Sequence, residues 1–321
     1  LRPPLALAPA FLLYAAFFLF CFHEADEDLW GRMAAGRLAA AEGRVPLEDP
    51  FAYVPTRPTW VDHEWLAGRI FFEVYRRFSG AGLMVLNLAL GLATVGFASG
   101  AATRAGGAPW ARLAALLGVW PLLAHGFSSL LRAQAFSFAL FAALLWLLER
   151  ARQGKRGALA LFLPLTAVWG NLHGGFVVGP LLMLVYGAAA LVEGRRKDAA
   201  LVTALAVLCF AATGANPYGT AYWSYLASAL AMPRPYIVEW RAVRLLGWDD
   251  LHIKLALLLA LWVVSRRLRG EAALCLLGVA AATLLHLRFT PFLALALIVF
   301  LPRPLEETFQ KAASPAPRGK A

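Results

Sequence analysis

Charge is what this chain has least of. Only 15% of its 321 residues are Asp, Glu, Lys or Arg, against 60% hydrophobic residues. Soluble domains carry about 25% charged and about 45–50% apolar residues, so a soluble globular protein is excluded. Cysteine is scarce too. Cys21, Cys209 and Cys275 each lie inside an apolar run with no CxxC spacing, which excludes a disulfide framework and a thiolate metal site. The first apolar run, 5–22, lacks an A-x-A-like cleavage site near its end and is expected to be a helix rather than a signal peptide. No internal repeat is evident. The net charge of +11 comes mostly from arginine, and where the arginines fall explains it better than a nucleic-acid partner does.

Long apolar runs are abundant. Spanning a bilayer takes about 20 such residues, with about 17–25 tolerated. Clear runs occupy 5–22, 81–103, 110–126, 133–149, 174–192, 198–213 and 271–286, with shorter ones at 157–170, 253–265 and 289–301. The expectation is an all-α polytopic bundle of about ten spans, a single transmembrane domain over 1–305, and a disordered cytoplasmic tail over 306–321. The first loop, 24–80, should hold interfacial helices over 28–41 and 64–78, and 220–231 reads as a third.

Orientation follows from the basic connections. Every second one is arginine-rich: Arg104 to Arg112; Arg150, Arg152, Lys155 and Arg156; Arg195, Arg196 and Lys197; Arg266, Arg267 and Arg269; then the tail. Both termini are therefore expected inside. The remaining connections collect all six histidines, and ten of the nineteen acids lie between Glu24 and Glu73. Polar chemistry sorted to one face marks that face as the functional one.

Its acidic opening is the stretch Glu24-Ala25-Asp26-Glu27-Asp28-Leu29-Trp30. Taken alone, such a cluster reads as the acid-rich first turn of a helix. Asp62, His63 and Glu64 add two carboxylates and an imidazole beside Trp65, although Asp62 could also be a helix cap. Arg132 and Arg288 stand against the positive-inside trend. A lone arginine at a helix end can snorkel to water, whereas a guanidinium also suits phosphate, which it grips bidentately while staying charged. Asn171 and His173 precede Gly174-Gly175, Asn216 and Tyr218 flank Pro217 in a strong turn signal, and Glu239 offers a further carboxylate.

Together these strings resemble a family. Asp28-Leu29-Trp30 with Gly36-Arg37, Gly43-Arg44-Val45-Pro46, Asp49-Pro50-Phe51 and Trp60-Val61-Asp62-His63-Glu64-Trp65-Leu66 resemble a group of bacterial multi-pass proteins related to the GT-C superfamily of membrane glycosyltransferases. That superfamily includes protein mannosyltransferases and the aminoarabinose transferases of lipid A. The likeness continues through Arg132-Ala133-Gln134, Trp169-Gly170-Asn171-Leu172-His173-Gly174-Gly175-Phe176, Asn216-Pro217-Tyr218-Gly219, Glu239-Trp240 and Arg288-Phe289. Two positions depart from it. Gly31 and Arg32 stand where related sequences tend to have an aromatic and a histidine, and Ala133 stands where they tend to have proline.

The resemblance implies a GT-C-like fold in a bacterial plasma membrane, with the site on the exterior face. It implies inverting transfer of a sugar from a polyprenyl-phosphate donor to a lipid, glycan or protein acceptor. Asp28 would be the general base, with Asp26 as the alternative and Asp62 or Glu64 as a second acid. Arg132 and Arg288, helped by His173, would hold the donor phosphate. A divalent cation (Mg or Mn) could bridge acids and phosphate. Two rivals remain: a transporter or flippase for a lipid-linked or anionic substrate, and an inactive relative serving as an assembly subunit.

Overall fold

A computed structural model describes residues 26–54, 59–124, 126–127, 131–266 and 268–313. Expectations for the first apolar run, Cys21, His23, Glu24, His125 and the last eight residues lie outside that set. The described residues form twelve α-helices and no strand: α1 Glu27–Glu42, α2 Trp65–Ala105, α3 Pro109–Ala124, α4 Gln134–Arg152, α5 Phe162–Leu172, α6 Val178–Val192, α7 Arg196–Ala212, α8 Ala221–Ala231, α9 Leu251–Ser265, α10 Gly270–Leu285, α11 Thr290–Phe300 and α12 Pro302–Ala313.

Three helical segments are long and apolar enough to cross a membrane: α2, α4 and Gly174–Val192. A fourth, Leu287–Phe300 with Pro302–Ala313, qualifies if its 48° bend is counted within one span. Shorter apolar helices (α3, α9 and α10) accompany them. Large apolar side chains such as Val192, Leu208 and Leu258 are exposed on this bundle, as expected of a surface that meets lipid rather than water.

Two expected elements prove to be one. The interfacial helix over 64–78 and the run over 81–103 form the 41-residue α2, broken at Ser79, whose φ of 55° is not helical. The tail is corrected. It is helical through Ala313, because one of its faces packs: Phe309 meets Trp110 edge-on at 5.4 Å, Glu306 accepts the Ala108 N–H at 2.7 Å, and Arg303 pairs with Glu307.

Every residue of α11 is buried, so this helix is the axis of the bundle. Around it the helix ends sort into two groups. At one end lie the starts of α1, α2, α4, α9 and α11 and the ends of α5, α7 and α10. At the other, Arg269 pairs with the fully buried Glu149 at 2.9 Å, and Arg152 and Arg195 each reach the fully buried Glu271 at 3.5 Å. Arg152, Arg195 and Arg269, each from one of the basic connections picked out in the sequence, meet at this second end and neutralise two carboxylates that could not stay buried unpaired.

Candidate functional site

The site forms where α1 lies across α2. Gly36 and Gly68 meet backbone to backbone there, and a Cβ on Gly68 would stand 2.5 Å from the Arg32 carbonyl oxygen. This close approach needs two glycines. It sets Arg32 over the turn that enters α2. Arg32 Nη1 lies 3.0 Å from Asp62 Oδ1, and its Nε lies 2.8 Å from Glu64 Oε2. Both acids are buried. Asp62 also accepts the Glu64 N–H at 3.2 Å, and its own N–H donates to the Tyr218 hydroxyl at 3.0 Å. Burial would raise the Glu64 carboxyl, but the His63 hydrogen bond and the Arg32 guanidinium override it and hold the group below the usual carboxylate range. For Asp62 burial wins, and its carboxyl is raised despite Arg32.

Two imidazoles close over Glu64. His63 Nε2 is 3.4 Å and His173 Nε2 is 3.6 Å from Glu64 Oε1. The tautomer of His173 follows from its other nitrogen. Nδ1 accepts the Gly175 N–H at 2.9 Å and lies 2.7 Å from the Ser137 hydroxyl, which itself accepts the Trp169 indole N–H at 2.7 Å. The proton therefore sits on Nε2, facing Glu64. Burial pushes His173 down to about 3, so at neutral pH it is an uncharged donor. Tyr225 fixes His63 through a 3.0 Å contact to Nδ1.

A second centre forms around Arg132. Its three nitrogens meet three carboxylates: Nε to Asp26 at 3.1 Å, Nη2 to Asp28 at 3.3 Å and Nη1 to Glu239 at 3.3 Å. Asp26 also caps α1 by accepting the Asp28 N–H at 3.0 Å. Asp26 thus takes the helix-start role, and Asp28, 68% exposed, is left with a carboxylate open to solvent. Arg288 and Arg234 each stack on Trp240, 4.1 Å from the ring centroid. Arg288 makes no ion pair among the described residues, although the charges of Glu239, Glu64 and Arg132 all reach it. The two centres are therefore electrically continuous, since Arg32 also feels Asp28.

The sequence candidates thus fall into two groups. Asp26, Asp28, Asp62, His63, Glu64, Arg132, His173, Glu239 and Arg288 share one end of the bundle. Asn171 and Asn216 are spent on scaffolding. Asn171 accepts the Trp65 indole N–H at 2.7 Å and donates to the Ala167 and Ala215 carbonyls, while Asn216 bonds Thr213 and Tyr218 within its own turn. Tyr218 supports Asp62 from beneath. Arg32 is the residue that sequence reasoning passed over. Its local signals are its place four residues after Asp28, on the same helical face, and its standing where related sequences tend to have a histidine. Arg234, Ser137 and Tyr225 carry no signal of their own in the sequence. Among the described residues, no three His, Cys, Asp or Glu side chains converge as metal ligands.

Comparison with family models, curated proteins and solved structures finds no match for this chain.

Proposed function

We propose that this protein is a membrane glycosyltransferase of the GT-C type, moving a sugar from a polyprenyl-phosphate donor to an acceptor hydroxyl with inversion. The observation that carries the reading is the pairing at one end of an apolar bundle. An open carboxylate, Asp28, stands beside an arginine tied to three acids, and a second arginine, Arg288, keeps its charge free of any carboxylate among the described residues. The motif resemblance supplies the reaction class, and the geometry refines the roles.

Asp28 takes the proton of the acceptor hydroxyl as its oxygen bonds to the anomeric carbon. The bond from that carbon to the phosphate oxygen breaks on the opposite face, and the lipid phosphate leaves with the electron pair. Arg288 meets that charge, while His173 keeps its Nε2–H toward Glu64. Arg132 holds Asp26, Asp28 and Glu239 in place. Arg32 balances Asp62 and Glu64, which set the floor of the site. Among the described residues no group of three His, Cys, Asp or Glu side chains is placed to hold a cation, and these steps are carried by side chains alone. The topology that goes with this reading has about ten spans, both termini inside, and the site on the exterior face of a bacterial plasma membrane.

The test is to incubate purified protein with a panel of polyprenyl-phosphate sugars and measure release of free lipid phosphate. Asp28→Asn should lower release about 10²–10⁴-fold, the range for loss of a general base, while leaving donor binding intact. Full activity in that variant would remove Asp28 from the mechanism. Silence across the panel with tight retention of intact donor would favour a carrier or an inactive assembly subunit.

A further inference from the structure

A groove separate from the acid cluster runs along the far half of α1. Two cavities, of about 580 and about 460 Å³, adjoin there and share Trp65 and Pro217 as a common wall. Arg44 and Arg69 both line the larger, among mostly apolar neighbours. The smaller lies between Leu66, Ala167 and Val168, with Asn171 and Asn216 at its edge. Val168 is 46% exposed on the apolar flank of the bundle, so this slot opens toward the surface that would face lipid chains.

The two arginines are weakly committed. Arg44 is largely exposed and reaches Glu42 only at 3.6 Å. Arg69 shares the single carboxylate of Glu73 with Arg76 and Arg77, leaving that surface with surplus positive charge. Gly43 is left-handed, at φ 69°, and turns the chain so that Arg44 follows directly into the groove. Two arginines, an aromatic wall and a mostly apolar slot open to the bilayer together have the shape of one ligand class. We propose that this groove binds an anionic diacyl phospholipid from the surrounding bilayer, with its phosphate on Arg44 and Arg69 and one chain along Trp65 and Val168. The groove shares its wall with the scaffold of the acid cluster, since Trp65 follows Glu64 and Pro217 precedes Tyr218. A seated lipid therefore steadies that cluster from behind. This assignment is independent of the reaction run at the cluster.

Native mass spectrometry of the full chain in mild detergent tests it, with phosphatidylglycerol and phosphatidylcholine as probes. Phosphatidylglycerol should stay bound where phosphatidylcholine does not. Arg44→Gln with Arg69→Gln should cut its retention about 30-fold, as expected from two basic contacts. Val168→Trp, which fills the slot and leaves both charges, should also cut it. Arg37→Gln with Arg244→Gln removes two exposed charges that do not line the groove and should change nothing. The proposal is overturned if retention survives loss of Arg44 and Arg69, or if the control pair lowers it equally. It is likewise overturned if inorganic phosphate displaces the lipid, since the arginine pair would then be a free-anion site.

Discussion

Arg32 decides more than any other single residue. Remove it and two carboxylates, Asp62 at 3% exposure and Glu64 beside it, lose their common cation inside the protein. Stranding buried charge costs about 3–5 kcal/mol, so Arg32→Met should lower the thermal unfolding midpoint in detergent far more than the exposed Arg37→Met; equal midpoints would show that the acids are neutralised otherwise. His173 gives the site a pH signature. Its folded value is about 3, against about 6.5 for a free imidazole. Between those values the unfolded chain holds a proton that the folded chain lacks. Stability therefore falls on acidification, by up to about 1.4 kcal/mol per pH unit. Glu64, held low, stays ionised in the fold, and its stabilisation is lost only as pH drops below the free-carboxylate range near about 4.3. Denaturant titrations at pH 7, 6 and 5 should show the decline, and His173→Asn should flatten it. A slope unchanged in that variant would assign the proton elsewhere.

Among elements, the crossing of α1 on α2 sets the geometry of the site. Gly36 and Gly68 touch through backbone, whereas Gly31 has open space around its Cα. Gly36→Ala should therefore force the helices apart at a cost of about 1–3 kcal/mol, the usual range for overpacking, and should cut transfer by moving Arg32 off its acids. Gly31→Ala should be neutral in both assays, and parity between the two variants would argue against the tight crossing. The extents of α1, α8 and the first part of α2 were legible as amphipathic helices and that of its second part as a long apolar run, because both signals are local. The helix over 302–313 escaped notice because it is short, polar and rich in proline at its start. Only the surface offered by Trp110 and Ala108 makes it worth folding.

At the scale of the molecule, polarity is divided between the two ends of an apolar bundle, and the basic end should face the cytoplasm. In a background lacking the native cysteines, Tyr236→Cys, at a fully exposed site-end position, should react with a membrane-impermeant maleimide in intact cells. Lys155→Cys, at the opposite end, should react only after permeabilisation, and the reverse pattern would invert the topology. By itself the sequence determined the all-helical, apolar character of the chain, the acid-rich first loop and the sorting of charge onto alternate connections. Those follow from local composition and from the cost of burying charge in lipid. Tertiary structure alone decided which charge answers which. Arg32 meets Asp62 thirty residues away, and Arg132 gathers Asp28 and Glu239 across 104 and 107 residues. Arg288 is left to Trp240. Such partnerships depend on the angle and closeness of helix crossings, which no local pattern encodes.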